Sequence, residues 1–278
     1  MATLRPVTID DALAALAAGP GKLLAGGTDV YAAAGPRLAG PVVDLSRVAG
    51  LSTIEAGADG WRIGAGVTWS ALRAAPLPSA FDALKAAAAE VGSVQIQNRA
   101  TLAGNLCNAS PAADGVPALL ALNAAVELAA AGRRRRLPLA DFILGPRRTA
   151  LQPGEMVTAI LVPPQPEGAA AVFQKLGARH YLVISIAMVA VMLAAEGGRI
   201  TDARIAVGAC SPVAMRLAGL EAKLVGTPLE RAAACAGADD LVPLSPIDDV
   251  RATASYRREA ALVLVRRVLA EAAGRLAP

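Results

Sequence analysis

Two glycine turns constrain this chain more than any other feature in it. AlaGlyGlyThrAsp at 25–29 continues straight from the apolar run Lys22, Leu23, Leu24, and ThrLeuAlaGlyAsn at 101–105 comes about seventy residues later, extended by AsnAlaSerPro at 108–111 and closed by Asp114. A glycine turn leaves successive backbone N–H groups unshielded, the geometry that cradles phosphate oxygens. Two such nests from distant segments suit a ligand with two phosphates. Thr28, Thr101, Asn105 and Ser110 add side-chain hydrogen bonds, and Asp114 suits acceptance from sugar or ribityl hydroxyls. Either turn alone reads as a simple chain reversal; together they are hard to dismiss. Neither matches the GxGxxG fingerprint, so a Rossmann fold is disfavoured.

Around the nests the pattern is mixed. Thr8 and Asp11 open a helix over 10–18, which Gly19 and Pro20 stop. Strands are expected at 22–25 and 41–45, with a short alanine-rich helix through Ala34 after the first turn. Thr53 to Ala65 reads as a hairpin turning at Asp59-Gly60, Thr68 caps a short helix, and Ser79 caps a longer one over 81–91. The stretch 92–115 is dense in Gly, Asn, Ser and Pro and reads as one long functional loop. After it come a helical turn at 117–122, strands at 124–130 and 134–138, a short helix at 139–144 and a strand at 156–162. The proline-rich run 163–168 marks a domain boundary. Beyond it, strands are expected at 170–176, 184–195 and 203–209, with helices at 212–225, 229–236 and 247–273 covering one face of their sheet. This divides the chain into 1–165, itself in two parts near residue 55, and 169–278.

Hydrophobic residues make up 55% of the chain and aromatic ones only 3%, enough for a core of many small side chains and too apolar for disorder. The longest apolar run, Tyr181 to Ala195, is fifteen residues and falls short of the ~20 a membrane-spanning helix needs. The start MATLRPVTIDD lacks a secretory pattern, so a cytoplasmic protein is expected. Cys107, Cys210 and Cys235 stand far apart, excluding a disulfide framework or a cysteine-only metal site; Cys107 reads as a small buried residue. His180 is the only histidine, so no histidine triad or multi-histidine metal site can be built, and it reads as a loop residue. Net charge is +4, and the run Arg133 to Arg136 has no aromatic residues interleaved to stack on bases. A solvated turn between strands is expected there, and no nucleic-acid partner.

KLLAGGTD at 22–29 and TLAGNLCNASPAAD at 101–114 resemble the two FAD-binding signatures of the medium, flavoprotein subunit of molybdenum hydroxylases, the xanthine dehydrogenase and carbon monoxide dehydrogenase family. The resemblance extends to LQPGEMVTAILVP at 151–163 and FQKLGARHYLVISIAMVAV at 173–191. It implies an α+β chain: a two-part FAD-binding domain of the vanillyl-alcohol-oxidase type, then a small C-terminal domain with a three-stranded antiparallel sheet and helices. It also implies that Ala25, Gly26, Gly27, Thr28 and Asp29, with Thr101, Ala103, Gly104 and Asn105, hold the pyrophosphate, with Ser110 beside them. Asp114 falls by the flavin's polar chain, Lys22 at the adenine side of the strand it shares with Leu23 and Leu24, and Val157 and Lys175 near the isoalloxazine. One departure stands out. The family's second turn usually has two glycines, and Ala103 replaces the first, adding a methyl where backbone and phosphate are expected to approach.

By the same resemblance this chain is an FAD-binding electron-transfer subunit. Its partners are a large molybdopterin subunit and a small subunit with [2Fe-2S] clusters, in a dimer of heterotrimers; the flavin passes electrons to an external acceptor. Two alternatives remain open at this point. A stand-alone flavin reductase of the UDP-N-acetylenolpyruvoylglucosamine reductase type shares the fold but needs an acid to protonate a carbanion. A non-redox anion-binding module needs only the nests.

Overall fold

The strand Lys22–Leu24 runs beside Val42–Asp44, which in turn pairs with Thr3–Leu4, in a small parallel sheet. The computed structural model describes residues 3–19, 21–34 and 40–277; Pro20, expected to stop the first helix, lies outside them. The described chain gathers into two compact units, one of 1–75, 93–108 and 124–164, the other of 76–92, 109–123 and 165–278.

In the first unit, Thr8 Oγ1 accepts from Asp11 N at 3.0 Å and starts the helix Ile9–Ala17. A second, five-stranded antiparallel sheet has the order Ile54–Gly57, Gly60–Gly64, Met156–Val162, Ala125–Ala130, Arg133–Pro138. Its central strand, Met156–Val162, is apolar at all positions but Thr158 and buried except at Leu161, as a strand covered on both faces requires. The hairpin expected at 53–65 forms, and Gly60, at φ +104°, lies against the backbone at the end of the central strand: a Cβ there would stand 2.7 Å from the carbonyl carbon of Pro163. Thr68 caps Trp69–Ala74 as expected, its Oγ1 accepting from Ala71 N at 3.2 Å.

The arginine run is not a turn. Arg133 to Arg136 lie in the edge strand, and the reversal is made by Ala131 and Gly132, the latter at φ +69°. Strand alternation puts Arg133 and Arg135 on one face, where both reach the buried Glu155, at 3.1 and 2.8 Å. Their hydrogen bonds hold the Glu155 carboxyl below the ordinary glutamate range.

The second unit is built on a four-stranded antiparallel sheet, Ala170–Leu176, Ala187–Glu196, Arg199–Gly208 and Met215–Arg216. The three long strands are those expected. The two-residue fourth falls where the sequence suggested a helix from 212, which begins only at Ala218. Val189, Val191 and Leu193 face the long helix Ala254–Leu276 through Leu264, Val265, Val268 and Leu269. Met188, Ala190 and Met192 alternate with them and are equally buried, because Asp82–Glu90 and Gly115–Ala121 also pack on this sheet. Helices on both faces, rather than the expected one, explain why strand 187–196 is apolar without alternation. Ser79 does not cap: residues 79–81 form a tight turn before Asp82–Glu90, and its hydroxyl donates to Ala169 O at 2.7 Å. Among the described residues no helix is long and apolar enough to cross a membrane.

Candidate functional site

The first glycine turn joins Lys22–Leu24 to the helix Thr28–Ala33. Gly27 sits at its start with φ 77° and ψ −3°, a left-handed conformation that costs a side-chain-bearing residue about 1 kcal/mol. The N–H groups of Thr28 and Asp29 find no acceptor among the described residues, so both remain available to a ligand. Lys22 is exposed, Leu23 half-buried and Leu24 buried.

The second turn is not part of a long loop. Residues 92–115 contain the helices Val94–Gln97 and Leu102–Asn108, and Gly115 opens a third. Their brevity hid them, since a helix of four or seven residues has too few turns to show a period. Thr101 Oγ1 accepts from Gly104 N at 3.0 Å and Thr101 O from Asn105 N at 3.1 Å, while Leu102 N donates to Val67 O. The N–H of Ala103 is left without a described acceptor. The Ala103 side chain is 4% exposed, so its methyl lies inside the protein and not where a phosphate would approach.

The two motifs meet in the first unit. A Cβ on Gly26 would stand 2.6 Å from the Arg99 carbonyl carbon and 2.8 Å from Ala100 Cα, so this glycine is required by the backbone of the second motif's approach. Asn108 Nδ2 donates to Asp29 Oδ1 at 3.1 Å, and the Arg147 guanidinium donates to Asn108 Oδ1. Gly26, Thr68 and Thr101 line a cleft of about 170 Å³, room for part of a dinucleotide. The side-chain oxygen of Asn105 is buried with no hydrogen-bond partner, which a bound ligand would relieve. The unclaimed N–H groups fit the phosphates of FAD, and the orphaned Asn105 oxygen, which needs a donor, fits one of its hydroxyls. Val157 is buried in the strand Met156–Val162, against which the helix Leu102–Asn108 packs. Cys107, expected to be buried, keeps an exposed surface, while the protein packed around its thiol pushes the pKa up to about 12.

Ser110 and Asp114 belong to the second unit. Ser110 closes a local turn, its Oγ accepting from Ala112 N at 3.2 Å. Asp114 meets Lys175, whose Nζ donates to Asp114 Oδ1 at 3.1 Å, to Val183 O at 3.3 Å and to Glu90 O at 3.4 Å. Ser185 Oγ donates to the same Oδ1 at 3.0 Å. Burial pushes the Asp114 carboxyl above the ordinary aspartate range, with the Glu90 charge adding to it and Lys175 and Ser185 opposing. His180 and Tyr181 stand exposed in the segment before Ser185, their rings edge to face at 6.0 Å. The sequence alone missed Asn108, Arg147 and Ser185 as partners. Asn108 lay inside the second motif and could have been included; nothing local marks the other two. Among the described residues no cluster of His, Cys, Asp or Glu could hold a metal.

Residues 1–165 match the family described as the FAD binding domain in molybdopterin dehydrogenase, and 172–272 the CO dehydrogenase flavoprotein C-terminal domain. The chain is similar to the nicotine 6-hydroxylase medium subunit of Paenarthrobacter nicotinovorans, at 35% identity over 97% of this chain and 96% of the relative. It is also similar to a putative xanthine dehydrogenase FAD-binding subunit of Escherichia coli, at 31% identity over 96% and 94%. Its fold superposes on a chain of the reconstituted CO dehydrogenase from Oligotropha carboxidovorans with a TM-score of 0.91, at 29% identity over 99% and 98%. A glycine turn meeting the second motif within one unit, together with these family matches, defines an FAD-binding flavoprotein. Matched along nearly its whole length, the chain belongs to the family of FAD-binding medium subunits of molybdenum hydroxylases. A stand-alone reductase is not favoured by any of these matches.

Proposed function

We propose that this chain is the flavin subunit of a molybdopterin-dependent hydroxylase or dehydrogenase, working in the cytoplasm with a large molybdopterin subunit and a small [2Fe-2S] subunit as a dimer of heterotrimers. The observation that supports this most directly is the seating of Gly26 against Arg99 and Ala100, which joins the two motifs into one donor surface. Bound FAD would supply the redox chemistry, taking electrons from the partner's clusters and giving them to an external acceptor. The chain's own residues position it. Gly26, Gly27, Thr28 and Asp29, with Thr101, Ala103, Gly104 and Asn105, hold the pyrophosphate, the N–H groups of Thr28, Asp29 and Ala103 donating to it, with Ser110 contributing. Asp114 accepts from hydroxyls of the flavin's polar chain, Lys22, Leu23, Leu24 and Ala25 form the strand at the adenine side, and Val157 and Lys175 flank the isoalloxazine. A domain division after residue 165, with a subdivision near 55, goes with this reading.

Purification under native conditions with metal analysis tests it. Two further chains, molybdenum and iron are expected to accompany a yellow protein. Removing the flavin from that complex should leave substrate reduction of the iron–sulfur clusters intact and stop transfer to the external acceptor. A colourless single chain free of molybdenum and iron would refute the reading.

A further inference from the structure

We propose that Ser185 is the positioning residue of Asp114: together with Lys175 it commits the carboxylate's Oδ1 to the protein and leaves Oδ2 as the acceptor offered to a hydroxyl of the cofactor. This rests on the reading of Asp114 as a hydroxyl acceptor. Ser185 is 1% exposed, and its Oγ and the Lys175 Nζ reach the same oxygen at 3.0 and 3.1 Å. Rotating the carboxyl would strip both bonds from Oδ1, so two donors on one oxygen hold the group in a single orientation. No described residue donates to Oδ2, while the Asp114 side chain keeps 15% of its surface.

Neither donor is free to move to the other oxygen. Lys175 has three N–H bonds, and its three acceptors are Asp114 Oδ1, Glu90 O and Val183 O. Ser185 is anchored from behind: Ile186 N donates to Leu176 O at 2.7 Å, and the buried Arg257 guanidinium donates to Ile186 O at 2.6 Å. The hydroxyl is therefore held by the sheet and by Arg257 before any ligand arrives, the preorganisation that makes a single hydrogen bond effective. The charged groups facing Asp114 are Lys175 from its strand and Glu90 from the helix Asp82–Glu90. Ser185 adds the one neutral donor.

The test is FAD titration of the deflavinated protein, with any subunits that accompany it, followed by flavin fluorescence between pH 5 and 8. Ser185→Ala should raise the dissociation constant roughly tenfold or more, the loss of one hydrogen bond to a charged group. Because that bond favours the carboxylate, its removal raises the Asp114 pKa further, so the fall in affinity on acidification should begin at a higher pH than in the wild type. Ser185→Thr, which keeps the hydroxyl, should restore both. Unchanged affinity in Ser185→Ala beside a weakened Asp114→Ala would overturn the role of Ser185 alone. Weaker binding with an unmoved pH profile would make Ser185 a packing residue and overturn it too. Unchanged affinity in Asp114→Ala, which removes both side-chain oxygens, would instead refute the hydroxyl-acceptor reading, and the proposal with it.

Discussion

Lys175 Nζ lies 3.1 Å from Asp114 Oδ1, an ion pair with side chains only 5% and 15% exposed between residues 61 apart in sequence. Burial raises the Asp114 pKa even with the lysine beside it, so desolvation outweighs the attraction here.

Lys175→Met leaves that carboxylate without its counter-charge and should destabilise the protein by roughly 3 kcal/mol at neutral pH. The sign with pH follows from the raised pKa: the folded state favours the protonated acid, so Asp114's stabilising contribution is present below its unfolded value and lost as pH rises through its folded one. Removing Lys175 raises the folded pKa further, so the variant should lose more stability than the wild type between pH 5 and 8. Urea unfolding at both pH values measures the difference; equal slopes would show the pair to be energetically idle.

Gly26→Ala should lower the melting temperature as well as empty the site, because the new methyl meets the backbone at Arg99 and Ala100 and not a movable side chain. Forcing that separation should cost about 1–3 kcal/mol. Calorimetry with flavin quantification checks it, and a variant of normal stability that merely lacks flavin would place the glycine's role in ligand approach alone.

Ala103→Gly should not tighten FAD binding, since the methyl is buried in the protein at 4% exposure. It should instead cost up to about 1 kcal/mol of stability through the lower helix propensity of glycine. A clear gain in affinity would show that the methyl does face the ligand.

Glu155→Gln removes the shared partner of Arg133 and Arg135 and should cost about 1–3 kcal/mol at pH 7. Its carboxyl titrates below the ordinary value in the folded state, so this stability is present above the unfolded glutamate pKa, near 4.5, and lost as pH falls through the folded one. Wild type and variant should therefore converge on acidification. Parallel curves down to pH 3 would assign the effect to packing.

Elements long enough to show a period, or marked by glycine and proline, were legible from the sequence. The strands 22–24, 156–162 and 170–176, the Thr8 and Thr68 caps and the first glycine turn were found where expected. Very short helices were not, which is why 92–115 read as loop. The strand at 134–138 was expected, but not that Arg133 belongs to it or that the run pairs with Glu155, twenty residues away from Arg135.

By itself the sequence determined the chemistry on offer. Two glycine turns, a handful of hydroxyls and one closing aspartate offer the donors and acceptors that a phosphate-and-hydroxyl ligand needs, and a single histidine with three scattered cysteines excludes much else. These are local properties, set by which residues tolerate a positive φ or carry a donor. Only the tertiary structure decided which groups act together: that Gly26 must be glycine because Arg99 and Ala100 lie against it, that the Ala103 methyl turns inward, and that Asp114 presents one oxygen to Lys175 and Ser185 while keeping the other. Such choices depend on contacts between segments tens of residues apart, where close packing and desolvation act and no local periodicity records the partner.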